Sequence, residues 1–107
     1  MPYFALIYET VDDYVERRAQ FRAGHLDLAR EAHARGELLL GGAFADPADR
    51  ALLIFRAPDA ATVENFARRD PYVTSGLVRK WEVRAWTVVI GNDPAESGAP
   101  TPAPAGR

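Results

Sequence analysis

The sequence contains no cysteine. That excludes a disulfide framework, zinc–thiolate sites and thiol catalysis. It also lacks an excess of either charge: 13 Lys and Arg stand against 15 Asp and Glu, for a formal net charge of −2. With no basic stripe and no acidic block, neither nucleic acid nor a membrane surface is an expected partner. No apolar run approaches the roughly 20 residues that span a bilayer. The N-terminal MPYFALIYETVDD has neither the basic start nor the small-residue cleavage site of a signal peptide. A soluble, cytoplasmic protein is the expectation. No phosphate loop, nucleophile elbow or metal-ligand cluster occurs, so neither cofactor nor metal is expected. The two histidines, His25 and His33, stand too far apart on one helix to share a metal on their own.

A chain of 107 residues is most simply one small domain. Its composition changes after Gly91, where NDPAESGAPTPAPAGR offers no large apolar side chain. Such a segment cannot offset the entropy of ordering itself, so residues 92–107 are read as a disordered tail and 1–91 as the folded unit. A domain this small buries only about 60–65% of its chain surface, which makes a second copy of the chain a natural way to bury more.

PYFALIYE reads as a strand, and Asp13 with Glu16 resembles a helix N-cap pair. From there to Arg35 the spacing is helical, with Tyr14, Phe21, Leu28, Ala29 and Ala32 on one face and Gly36 as the stop. ELLLGGAF reads as a second strand, with Gly41-Gly42 marking a bulge or a close backbone approach. Asp46 to Asp49 suits a type I turn, and RALLIFRA completes a hairpin. Asp59 caps a second helix whose Val63, Phe66 and Ala67 share a face, and which stops before Pro71.

The last strand runs from about Val78 to Ile90. Trp81 and Val83 face one way and Lys80, Glu82 and Arg84 the other, but beyond Arg84 both faces turn apolar. A strand covered on both faces only at its end implies an additional cover, and a second subunit is the economical one. The order βαββαβ, with one-faced helices, is the ferredoxin-like α+β plan.

His25 falls near the centre of the apolar helix face, where an unpaired polar group is costly. Two readings stand: a histidine satisfied by a backbone carbonyl, or a general acid/base whose tautomer a carboxylate fixes. His33, near the helix end, suits a solvated or dipole-stabilising role. Arg22, one turn before His25, either snorkels or forks onto an anionic oxygen. Asp70 opposes the dipole of the helix it ends, so it needs a compensating partner. That partner is either the helix carrying His25 or a local Asx-type turn onto Tyr72 or Val73. Tyr72, Thr74 and Ser75 add hydroxyls on the same segment, and Gly76 permits a tight return.

Arg22, His25 and Leu26 as R-x-x-H-L, G-x-L at 36–38, the glycine pair at 41–42 and D-P-Y-x-x-x-G-L at 70–77 together resemble the YCII-related (YciI-like) family over residues 1–90. The resemblance implies a dimeric ferredoxin-like α+β barrel with a His–Asp pair in a cleft, carried here by His25 and Asp70. Arg22, Tyr72 and Ser75 are then candidate substrate contacts. Most members have no assigned reaction, and one enzyme resembling them removes chloride from a chlorinated hydroxyhydroquinone. Many members place proline after the second strand's glycine, where this chain has Ala43. The implied function is cofactor-independent acid/base chemistry on a small molecule: elimination, dehydrochlorination or isomerisation. The alternative is a non-catalytic ligand-binding or accessory domain using the same cleft.

Overall fold

In the computed structural model, which describes residues 1–91, the alternating PYFALIYET segment forms strand β1, Tyr3–Thr10. Phe4, Leu6, Tyr8 and Thr10 are buried on one face, and Tyr3, Ala5, Ile7 and Glu9 are half-buried on the other. The period of two is that of a strand with a core beneath one side.

The helical segment that follows is split into a single turn, α1 (Tyr14–Arg17), and a long helix, α2 (Ala19–Ala34). The expected Asp13 cap does not form; its carboxylate faces Arg17 at 3.5 Å instead. The apolar face nevertheless continues across the break, with Tyr14, Leu28 and Ala32 buried and Phe21 and Ala29 packed against them. Gly36 ends α2 with φ of +80°, a conformation that a side chain would strain.

Strands β2 (Leu38–Ala43) and β3 (Arg50–Arg56) form the expected antiparallel pair. The register shift lies between Leu38 and Leu40, so the irregularity precedes the glycine pair. The connection departs from a simple type I turn: Asp46 has φ of +54° and the Asp46–Pro47 peptide is cis. Asp59 caps α3 (Ala60–Arg69), accepting from the Thr62 N–H at 3.0 Å. The segment after Pro71, expected as loop, is one further helical turn, α4 (Pro71–Thr74), with Pro71 at its first position and Asp70 as its N-cap. Gly76, at φ of +86°, returns the chain into β4 (Val78–Trp86).

Strand β4 stops short of Ile90 for a simple reason. Trp86 pairs with Tyr3, the first residue of β1, and no further neighbouring backbone remains to extend the ladder. The sheet order is β2-β3-β1-β4, antiparallel throughout. This is the ferredoxin-like α+β arrangement. One sheet face packs beneath α2 and α3, with Leu6, Phe55 and Val63 fully buried and the Phe55 and Phe66 rings edge to face at 5.1 Å. Each such side chain contributes about 1.5–3 kcal/mol. The opposite face carries Leu40, Ile54, Ile7 and Trp86, and no helix among the described residues covers it. No helix among the described residues is long and apolar enough to cross a membrane. The expected tail, residues 92–107, lies outside the described residues.

Candidate active site

Asp70 sits at the junction of two helices, as the last cap of α3 and the first of α4, in extended backbone (φ −70°, ψ 123°). It is fully buried. A lone carboxylate there would be costly, but its oxygens meet three donors from three parts of the chain. Tyr8 of β1 donates its hydroxyl to Oδ2 at 2.7 Å. The Tyr72 N–H of α4 donates to Oδ1 at 2.9 Å. His25 of α2 brings Nδ1 to 2.8 Å from Oδ1 and 3.0 Å from Oδ2.

The local Asx-type bond and the long-range pair with His25, alternatives in the sequence, are therefore both present. A carboxylate has about four lone-pair sites, which is room for both. An ionised Asp70 only accepts, and Nδ1 is then its donor. The neutral His25 ring then carries its proton on Nδ1 and leaves Nε2 as its basic nitrogen. Stacking fixes the ring plane: the His25 and Tyr72 centroids are 3.9 Å apart at 5°. Tyr72 is held in turn by Tyr14, edge to face at 5.7 Å.

A glycine allows this approach. A Cβ on Gly24 would stand 3.1 Å from the Pro71 Cγ, so the bare backbone of α2 seats closely on α4. Gly24 adjoins His25 and Pro71 adjoins Asp70, so this contact governs the spacing of the pair. The sequence signal for Gly24 was a glycine in a helix interior, which costs about 0.5–1 kcal/mol and asks for a reason. Tyr8 gave only a faint signal, an aromatic with a polar tip on the buried side of a strand.

Burial, reinforced by the neighbouring Asp70 charge, pushes the Tyr8 phenol far above its ordinary value of 10.0. Its folded pKa is raised, so its stabilising contribution is complete below pH ~10 and is lost as pH rises above that, where the unfolded tyrosine ionises. Wild-type stability is expected to fall more steeply above pH 10 than that of Tyr8→Phe, by up to about 1.4 kcal/mol per pH unit. Urea unfolding at pH 9, 10 and 11 checks this; parallel curves for the two proteins would contradict it.

A cleft of about 470 Å³ opens beside the pair, and His25, Arg22, Tyr72, Tyr8, Leu38 and Gly41 contribute to its lining. Burial also raises the Tyr72 phenol, opposed by the Arg22 and Arg18 charges. The Tyr72 hydroxyl is shut off from solvent. Arg22 lies near enough to act on it, yet no well-formed hydrogen bond joins them. The structure does not bring Ser75 into the cleft: it is not part of the lining, and its hydroxyl turns to the Tyr72 carbonyl at 3.5 Å. His33 is exposed on the cleft rim with Nδ1 at 2.7 Å from the Leu38 carbonyl, tying the end of α2 to β2.

The geometry has counterparts among known proteins. A search of curated protein sequences finds no significant match. Among solved structures, 5-chloro-2-hydroxyhydroquinone dehydrochlorinase from Burkholderia phenoliruptrix AC1100, in complex with 2,5-dihydroxybenzoquinone, is similar with a TM-score of 0.71. The likeness covers 85% of this chain and 99% of that one at 21% identity, and at that distance it speaks to the fold alone. The model of the YCII-related domain matches residues 1–87, and the chain belongs to that family.

Proposed function

We propose that the cleft is an active site in which His25 and Asp70 move a proton on a small cyclic or enolisable molecule. The observation that carries this reading is the fully buried Asp70 bonded to Nδ1 of a histidine that lines a cleft. Asp70 orients the imidazole and stabilises the imidazolium formed when Nε2 takes a proton from the substrate. The electron pair left on the substrate either expels a leaving group such as chloride or accepts a proton at another carbon. Elimination, dehydrochlorination and isomerisation are thus variants of one step. Arg22 and the ring of Tyr72 hold the substrate; Ser75 has no part in this arrangement.

The similar solved structure supplies the probes, because its name gives 5-chloro-2-hydroxyhydroquinone as substrate and it holds 2,5-dihydroxybenzoquinone. The wild-type protein is expected to bind the quinone and to release chloride from the chlorinated hydroquinone. Nitrogen NMR is expected to show the His25 proton on Nδ1. Binding without chloride release, together with a proton on Nε2, would favour the second reading, a ligand-binding domain without catalysis.

We further infer a homodimer closed through the open sheet face. Leu40 and Trp86, exposed at 72% and 46%, stand there beside Ile54 and Ile7 on a domain too small to bury much apolar surface alone. Sedimentation equilibrium should give twice the 11.8 kDa of one chain, and Leu40→Glu should shift it toward the monomer. A wild-type monomer at micromolar concentration would refute the dimer.

A further inference from the structure

The charge around the cleft is opposite in sign to that of the whole chain. The formal net charge is −2, yet Arg18, Arg22 and Arg30 all line the cleft and, among the described residues, no Asp or Glu does. Asp70 lies behind the wall, fully buried and already bonded to three donors. Arg30 has Asp27 at 3.9 Å, a loose and exposed pair. Among the described residues no carboxylate pairs with Arg18 or Arg22. The Arg18 guanidinium instead lies over the Tyr14 ring, 5.3 Å from its centroid. Such a cation, placed by an aromatic face, retains its N–H donors for a ligand.

A second, independent observation points the same way. Tyr72 lines the cleft and is only 3% exposed, and its hydroxyl makes no well-formed hydrogen bond among the described residues. Buried polar groups are normally satisfied, so an unsatisfied one behind the cleft wall leaves this end of the cleft short of an acceptor. Arg22 acts electrostatically on this same hydroxyl. Arg22 therefore stands at the polar end of the cleft with this hydroxyl behind it. Below this polar end, Leu26, Ala29, Leu38 and Leu53 give the cleft an apolar wall. The volume suits a molecule of one ring.

We propose that the substrate is a small organic anion, with its carboxylate, phenolate or enolate oxygen held by Arg22 and Arg18 beside the Tyr72 hydroxyl, and its ring against the leucine wall. This rests on the acid/base reading and gives its substrate class. The geometry also supplies a reason for the charge: Nε2 withdraws a proton from a molecule already negative, and the arginines stabilise the added charge that develops.

The test uses benzoate and its near-isostere benzamide as probes, titrated into the full chain and followed by amide NMR. Benzoate is expected to shift the Arg22 and Tyr72 signals and to bind at least ten-fold more tightly than benzamide, with the difference shrinking as salt is raised. Arg22→Gln is expected to weaken benzoate about ten-fold and leave benzamide unchanged, whereas His25→Gln should preserve the preference for the anion. Equal binding of the two probes, no binding of either at millimolar concentration, or an unchanged preference in Arg22→Gln would each overturn the anion subsite. Binding is read here without turnover, so these failures leave the acid/base reading to be decided by chloride release and the His25 tautomer.

Discussion

Asp70→Ala is expected to lower stability by about 3–4 kcal/mol. Two effects oppose one another at this position. Removing a buried charge recovers its desolvation cost, which alone would stabilise the fold. Against that, the Tyr8 hydroxyl and the Tyr72 N–H, which among the described residues donate to Asp70 alone, become buried unpaired donors at about 1–3 kcal/mol each. The first turn of α4 also loses its cap. The orphaned donors win because the carboxylate was never isolated: three partners already offset its burial. Asp70→Asn keeps the volume and one accepting oxygen, and is expected to cost about half as much. Urea unfolding measures both, and an alanine variant within 1 kcal/mol of wild type would mean that the three bonds contribute little.

His25→Gln is expected to reduce turnover by about 10²–10⁴-fold, or roughly 2.7–5.5 kcal/mol of barrier. Glutamine retains an N–H that can reach Asp70 but has no basic nitrogen for the substrate. His25 is only partly buried, so the same change should cost less than about 1.5 kcal/mol in stability. Asp70→Asn should approach the same loss by another route. Its amide can donate to Nδ1 and so move the histidine proton to Nε2, the wrong nitrogen for a base. Chloride release from 5-chloro-2-hydroxyhydroquinone, measured with both variants at equal folded fraction, provides the comparison. A glutamine variant that keeps more than a tenth of wild-type turnover would remove His25 from the chemistry.

The residues that sequence reasoning brought out were those in the wrong place for simple folding. His25 stood on an apolar helix face and Asp70 at an unfavourable helix end, and the structure puts them 2.8 Å apart. The element order and the buried faces of α2 and α3 followed from period and caps, which are local. What escaped was set by contacts between distant segments. Tyr8 meets Asp70 across 62 positions, and nothing in IYE marks its hydroxyl for that bond. The end of β4 is fixed by where β1 begins, not by its own β-rich TVVI. Ser75 was drawn toward the cleft by proximity to Tyr72 in the chain, but the turn of α4 aims it elsewhere. That turn was itself hidden because Pro71 reads as a helix stop and, one residue on from a cap, also as a helix start.

The Gly24–Pro71 contact sets helix stability against activity at a single residue. Alanine at position 24 would raise helix propensity by about 0.8–1 kcal/mol. Its methyl, at 3.1 Å from a ring carbon covalently joined to the Asp70 segment, would also push α2 and α4 apart by a few tenths of an ångström. A search for heat-resistant variants would take the substitution only where Pro71 yields for less than that gain, whereas a screen for turnover would reject the displacement itself. Selection on the two properties would part company at this glycine before it did so at either member of the pair it positions.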